Sequence, residues 1–366
     1  MTVSEILKRT YNKIATRRRW ILKRLLIYFV VLMVAFPFVF VNRTQIYSQL
    51  LVRHDEWYER IGEDGIPVGE YGVQANVYVG PQTTARMVAN SGIEYYSQMK
   101  DGNETAGEYF NNTVEWLIEN LQYFYIPTQN GTIKIGHWIF DFAIWDLPKG
   151  WHQSMADAKG IQLLALAYQE YGNTTYLSAI DAITNSFTVP MYLGGNVYTV
   201  DNGLSWYPEY VVRPQIDMNY EPYLVLNGFL ICLRHLNEAS KILNDTKIKN
   251  IVNKGVITAA VYLPRYDSPY NWTLYHLDYP VKFADRGYHR IHIHEAQYLY
   301  ENTNVSIFKY YADLWSTYTS PPFFTIEEAL APDFITFGIL ITTLILSPTI
   351  IIDFIQYKLR RRSKSN

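Results

Sequence analysis

The chain has 366 residues, 49% hydrophobic and 18% charged, with a net charge of −2 and a pI near 6.5. That length allows a sizeable core, that composition excludes a disordered chain, and the near-neutral charge supplies no global field for nucleic acid. Cys232 is the one cysteine, which excludes intrachain disulfides and cysteine-based metal sites. Tyrosine is over-represented, with 32 copies beside 9 Trp and 17 Phe. Such a composition suits flat, hydroxyl-bearing ligands such as sugars, or reflects compositional bias alone.

Apolar residues gather towards the two ends. Leu25 to Val41 runs 17 residues without a charge and Phe334 to Ile352 runs 19, the length of short membrane-spanning helices. Lys23 and Arg24 can extend the first by snorkelling. It is long for a secretory signal and no small-residue cleavage site follows, so it reads as a retained anchor. Lys8, Arg9, Lys13, Arg17, Arg18, Arg19, Lys23 and Arg24 precede it, and Lys358, Arg360, Arg361, Arg362 and Lys364 follow the second run. The positive-inside rule then puts both termini in the cytoplasm and the middle outside it, at the cell surface or in the Golgi or endoplasmic reticulum lumen. Eight Asn-x-Ser/Thr sequons, beginning at Asn42, Asn103, Asn111, Asn130, Asn173, Asn244, Asn271 and Asn304, avoid both tails and agree with that topology. The expected order is a basic tail (1–24), a spanning helix (25–42), a stalk (43–65), a helical domain (66–320), a second span (334–356) and a second basic tail (357–366).

Within the middle segment, Gln82 to Gln98 sets Ala85, Val88, Ala89, Ile93 and Tyr96 on one helical face. Glu104 to Tyr123 repeats the pattern with Ala106, Tyr109, Phe110, Val114, Leu117 and Leu121. Glycine and proline then punctuate at Pro127 to Gly136, Pro148 to Gly150 and Gly194-Gly195. Further helices are expected at 153–171, 175–187, 221–236, 246–262, 292–301 and 305–318. Gly172-Asn173-Thr174-Thr175 reads as a C-cap glycine followed by an N-cap. Trp138 to Phe142 and Asn196 to Val200 alternate and read as hairpins or strand-like loops. Helix pairs joined by loops point to a mainly α fold, an α/α toroid or incomplete α/α barrel whose open end carries the pocket.

No nucleotide-binding loop or nucleophile elbow appears. Three clusters carry chemistry. His289-Arg-Ile-His292-Ile-His294, with Glu295, offers metal-ligand types, or imidazoles hydrogen-bonded to a polar ligand or to each other. No carboxylate–histidine spacing of a known site accompanies them, so no metal is expected. Ser205 to Tyr210 brackets Glu209 with Trp206, Tyr207 and Tyr210; a carboxylate among rings has its pKa raised and suits acid–base work near neutral pH. Leu263 to Tyr275, followed by Tyr288-His289, supplies tyrosines that beside a cation such as Arg286 can move a proton.

In their order these segments resemble the D-glucuronyl C5-epimerase family, enzymes that convert glucuronic to iduronic acid residues within a polysaccharide. The resemblance starts at Gly65-Ile-Pro67 and at Tyr78 to Ala85, and runs through Gly150-Trp151 and Met155-Ala156. It continues through Trp206-Tyr207-Pro-Glu209-Tyr210, Leu226-Asn227-Gly228-Phe229, Leu263-Pro264 with Tyr266-Asp267, Leu274-Tyr275, Tyr288-His289 with His292, and Leu314-Trp315. It implies a helical α/α barrel, no cofactor, a homodimer and a heparosan- or heparan-sulfate-like uronic acid polymer as substrate. It further implies that Glu209 and Tyr288 are acid–base residues on opposite sides of the sugar, with Tyr210 and Tyr275 lining the same pocket. Asn227 corresponds to a sugar-binding asparagine, and His289 and Arg290 fall in a binding loop; Tyr207, Trp151 and Arg286 are the further substrate-binding candidates. The family carries an arginine three residues after the second tyrosine, where this chain has Asp278. Lys282, Arg286 or Arg290 is therefore expected to supply the cation.

Overall fold

The computed structural model describes residues 22–26, 28–30, 59–74, 77–129, 131–279 and 281–318. Its contacts separate Asp55–Pro322 from the two chain ends. Residues 22–26 and 28–30 are helical; the two apolar runs otherwise lie outside the described residues. Among the described residues no helix is long and apolar enough to cross a membrane.

Asp55–Pro322 is mainly helical with short strand hairpins. The helices are α1 (Ala85–Lys100), α2 (Glu104–Asn120), α3 (Ser154–Tyr171), α4 (Thr174–Ser186), α5 (Leu226–Leu243), α6 (Thr246–Tyr262), α7 (Arg286–Thr303) and α8 (Ser306–Ser316). Local chemistry sets their ends. Gly172 closes α3 at φ 66°, its N–H donating to the Tyr168 carbonyl, and Asn173 then caps α4 by accepting from the Thr175 N–H. Asp245 caps α6, and Asp285 caps α7 by accepting from the Tyr288 N–H at 2.8 Å. That cap starts α7 six residues before the expected 292, and its first turn carries Tyr288.

The helices form four hairpins, α1–α2, α3–α4, α5–α6 and α7–α8, and the first helix of each packs on the next, in the order α1, α3, α5, α7. Two layers follow. α3, flanked on both sides, is buried from Ser154 to Leu164 almost without interruption apart from Gln162; α2 in the outer row buries a stripe of Ala106, Phe110, Thr113, Val114 and Leu117. An inner helix needs apolar or small residues all round, whereas an outer one needs a single face.

Strands sit at the ends of the helices. β1 (Glu59–Ile61) pairs antiparallel with β2 (Pro67–Glu70), which pairs with β5 (Pro81–Gln82); β3 (Val73–Gln74) and β4 (Val77–Tyr78) form a small hairpin between them. The first described strand thus falls inside the segment expected to be stalk. β6 (Gln122–Thr128) and β7 (Gly131–His137) form a seven-pair hairpin where the sequence reads as helix end and loop. Both strands are half-exposed, so their alternation is weak. Trp138–Phe142, expected as strand-like, forms an isolated bridge between Phe140 and Trp151 instead of a strand, and is held further by the indoles of Trp138 and Trp151 donating to the Leu117 and Phe142 carbonyls. β8 (Tyr198–Val200) pairs with β9 (Leu204–Trp206), and β10 (Asp267–Ser268), β11 (Trp272–His276) and β12 (Lys282–Phe283) form one sheet.

Candidate active site

Glu209 follows β9 and lies 5% exposed in the domain interior. Its loop is fixed on both sides. Trp206 stacks on Phe229 of α5 at 4.0 Å between ring centroids, and Val211 exchanges backbone hydrogen bonds with His152. The Leu226-Asn227-Gly228-Phe229 motif acquires a physical reason here. Asn227 Nδ2 donates to Glu209 Oε2 at 3.3 Å, and a Cβ on Gly228 would lie 2.5 Å from both the Cβ and Oε2 of Glu209. Asn227 is itself buried, and this contact orients the carboxylate.

Burial holds the Glu209 carboxyl up at about 6, opposed by hydrogen bonds from Tyr210 and Asn227 and by the charges of Arg86 and Lys159. From Glu209 a line of phenols runs outward. Tyr210 hydrogen-bonds Glu209 and Tyr275, and Tyr275 hydrogen-bonds Tyr288. The rings of Tyr275 and Tyr288 lie 4.8 Å apart. Tyr275 sits on β11 and Tyr288 in the first turn of α7, so the β11–β12 turn and the Asp285 cap bring them together. Burial raises all three phenols above the ordinary tyrosine value. The site therefore sets a carboxylate that ionises near neutral pH beside phenols that remain protonated, the pairing a base and an opposing acid require.

The other sequence candidates separate from this group. Tyr207 is buried with its hydroxyl donating to the Ile251 carbonyl. Trp151 is buried, stacked on Phe140 at 4.1 Å, and supports Tyr210 from behind at 5.8 Å. Arg286, Arg290 and Lys282 are exposed; Lys282 stands 5.5 Å from the Tyr275 ring. Asp278 is occupied by the backbone, accepting from the Leu224 N–H at 2.8 Å.

The histidine cluster is a packing device. On α7, His289 and His292 face inwards while the His294 side chain is 70% exposed, so the three do not converge. His289 Nε2 meets the Trp315 carbonyl at 3.2 Å and its Nδ1 meets Thr273 Oγ1 at 2.9 Å. The carbonyl can only accept, so Nε2 carries the proton and the Thr273 hydroxyl donates to Nδ1. That hydroxyl then accepts from His292 Nδ1 at 3.1 Å. Burial pushes His292 down to about 3, and it stays neutral. Glu295 pairs with Arg234 at 2.9 Å.

Sequence reasoning missed a different grouping, His137, His152 and Asp157, whose ligand-type atoms lie within 4.8 Å of one another. His137 Nδ1 meets Asp157 Oδ2 at 2.7 Å and Nε2 meets the Gly194 carbonyl at 3.0 Å. The His137 ring thus bridges the Asp157 carboxyl and the Gly194 carbonyl. Asn196 donates to Asp157 and to Ser186, leaving its Oδ1 to accept from His152 Nε2. This network clamps β7, the start of α3 and the Gly194 turn beneath the Glu209 loop.

The sequence pattern of the D-glucuronyl C5-epimerase C-terminus family matches residues 129–317. The chain belongs to this family. The match takes in Glu209, Tyr210, Asn227, Tyr275 and Tyr288, and it aligns this chain with carbohydrate epimerases. A D-glucuronyl C5-epimerase of Caenorhabditis elegans is 27% identical over 189 residues, 47% of this chain and 29% of the nematode protein. An uncharacterized protein of Methanocaldococcus jannaschii is 26% identical over 263 residues, 68% of this chain and 82% of its own. Among solved structures, a sugar epimerase from a ruminal bacterium superposes with a TM-score of 0.47 at 10% identity, over 64% of this chain and 58% of that one. The chain thus spans under a third of the nematode family member that it matches.

Outside the matched span lies a cation that sequence reading overlooked. Arg86, in the first turn of α1, acts electrostatically on both Glu209 and Tyr288. Lys159 of α3 is buried, donates to Asn90 at 2.9 Å, and is pushed down to about 7, chiefly by burial and by Arg86. An arginine in a helix whose apolar face is otherwise ordinary carries no sequence signal of its own; only the docking of α1 on α3 gives it one.

Proposed function

We propose that the chain is a uronyl C5-epimerase, converting D-glucuronic to L-iduronic acid residues within a polysaccharide. The arrangement that carries the reading is Glu209 and Tyr288 at the two ends of one group of phenols that runs from the interior towards the surface, with Arg86 acting on both. The hydrogen at C5 of a uronic acid is α to a carboxylate, so its removal leaves an enediolate-like anion. In the forward direction the Glu209 carboxylate takes that hydrogen as a proton, and the neutral Tyr288 phenol returns one to the opposite face. Arg86 stabilises the charge that builds on the sugar carboxylate, and Lys159 adds to it while protonated. The reaction inverts one centre and is redox-neutral.

The four helix hairpins then act as an incomplete α/α toroid whose strand-bearing end receives the polymer. The apolar, base-flanked runs at 25–42 and 334–356 are proposed to anchor this domain on the extracytoplasmic side of a membrane.

Incubation with a glucuronate polymer in deuterated water tests the reaction. Deuterium at C5 in intact chains is the expected result. A rise in ultraviolet absorbance from an unsaturated product would instead mark a lyase, which begins with the same proton abstraction and then expels the C4 substituent. Binding of the polymer without exchange would make the protein a glycan-binding module.

A further inference from the structure

His137 at the end of β7, His152 in its bridge to Val211 and Asp157 in the first turn of α3 are all fully buried. The hydrogen bonds around them fix where their lone pairs lie. The Gly194 carbonyl can only accept, so His137 Nε2 carries a proton. Asn196 spends both amide hydrogens, on Asp157 Oδ2 and on Ser186 Oγ, so its Oδ1 accepts from His152 Nε2. Each ring is held through Nε2, which leaves Nδ1. His137 Nδ1 stands 2.7 Å from Asp157 Oδ2, a separation at which a nitrogen lone pair and a carboxylate oxygen need a cation between them. His152 Nδ1 and Asp157 Oδ1 are buried and meet no hydrogen-bond partner among the described residues. A proton on that Nδ1 would be a buried donor without an acceptor, so it too holds a lone pair. Ligand-type atoms of the three residues lie within 4.8 Å of one another, and the two imidazoles stack at 3.9 Å between centroids.

We propose that His137, His152 and Asp157 bind one zinc ion, through the two Nδ1 atoms and the Asp157 carboxylate. Two imidazoles and a carboxylate are a donor set that suits zinc. The ion takes the place of the proton between His137 and Asp157, which passes to water as the metal binds. The Gly194 and Asn196 oxygens then serve as the outer partners that hold each imidazole by its other nitrogen, as metal-bound histidines require. The role is structural. His152 exchanges both backbone hydrogen bonds with Val211, two residues after Glu209, so the ion braces the loop that carries the carboxylate. With all three ligands sealed from solvent, zinc enters as the chain folds, and zinc added to the folded protein has no effect. The site is independent of the C5 chemistry proposed above.

Elemental analysis of the full chain, purified untagged and without added metal, tests this. One zinc per chain is expected, retained when the native protein is dialysed against EDTA and released in guanidinium. Zinc that is absent, or that washes out of the native protein, overturns the proposal. Asp157→Asn and His137→Gln are each expected to lower zinc content at least tenfold. His294→Gln, which alters the exposed member of the other histidine cluster, is expected to keep it. Full zinc in both of the first two variants, or its loss from the third, overturns the site as well. Should the first two variants fail to fold, X-ray absorption at the zinc edge of the wild type decides. Imidazole and oxygen scatterers at about 2.0–2.2 Å are expected. An ion without imidazole, or one with a sulfur at about 2.3 Å, which only Cys232 or a methionine could supply, overturns the assignment.

Discussion

Glu209 and Tyr288 are 79 residues apart in the chain, yet two phenols, Tyr210 and Tyr275, connect them by hydrogen bonds. The connection couples their protonation. A proton gained by Glu209 weakens the acceptor that orients Tyr210, and the change passes to Tyr275 and Tyr288. Replacing one end therefore removes half the chemistry without dismantling the scaffold.

Glu209→Gln and Tyr288→Phe are each expected to abolish C5 deuterium exchange with the fold kept, as circular dichroism would report. Exchange at the wild-type rate in both would refute their assignment. Glu209→Gln should also alter stability. Because the folded carboxyl titrates near 6 against 4.5 in a free chain, protonation favours the folded state. The stability held below about pH 4.5 is lost as pH rises through 6. The glutamine variant escapes that loss, at most about 2 kcal/mol for 1.5 pK units. Denaturant titrations at pH 4 and 8 should show the two proteins diverging at the higher pH.

The same carboxyl sets a pH profile. Rates with Glu209 as base should fall below about pH 6. The positive charge of Lys159 pulls that value down, so Lys159→Met is expected to move the acid limb upwards. An unmoved limb would mean Lys159 is remote from the working carboxylate.

Tyr275→Phe cuts the line of phenols and leaves both end groups intact. A hydrogen bond between neutral groups is worth about 0.5–1.5 kcal/mol, so exchange should drop by roughly two- to tenfold, mainly in kcat. An unchanged rate would show that Glu209 and Tyr288 work independently.

Arg86→Gln removes the cation that acts on both acid–base residues. Loss of one such group from a preorganised site costs on the order of 10²–10³ in kcat. Arg86→Lys, which keeps the charge but not the fork of donors, should recover part of it. Equal activity in the lysine and glutamine variants would point away from a charge role.

Thr273→Val tests the histidine pair. The methyl leaves His289 Nδ1 and the proton on His292 Nδ1 without partners in the interior, a cost of about 1–3 kcal/mol for each buried group. A drop in melting temperature, with no response to added zinc, is expected.

Much of this was legible in the sequence. The three- and four-residue spacing of Ala85, Val88, Ala89 and Tyr96, the glycine–asparagine joint at 172–173, and a carboxylate set among Trp206, Tyr207 and Tyr210 are local signals, and the structure honours each. What escaped reading depends on contacts distant in sequence. The contact of Asn227 with Glu209 is not legible, because its partner lies 18 residues earlier. Tyr207 looked like pocket lining because nothing local shows that Ile251 takes its hydroxyl. The β6–β7 hairpin hid behind Pro127 and its glycines, which in a half-exposed ribbon disturb too few buried positions to reveal the strands. Arg286 and Arg290 were favoured for nearness in sequence to Tyr288, but a helix turns them to solvent while α1 brings Arg86 from the far end of the domain.

The seating of α7 bears on when activity can arise. Tyr288 reaches Tyr275 only from the first turn of this helix, and His289 on the same turn is fixed by the carbonyl of Trp315 in α8. A chain that has assembled α1 to α6 still lacks the Tyr288 phenol beside Tyr275, and gains it only when its last hairpin docks. With Tyr288 as the proposed proton donor, truncation within α8 is expected to release His289 and lower C5 exchange.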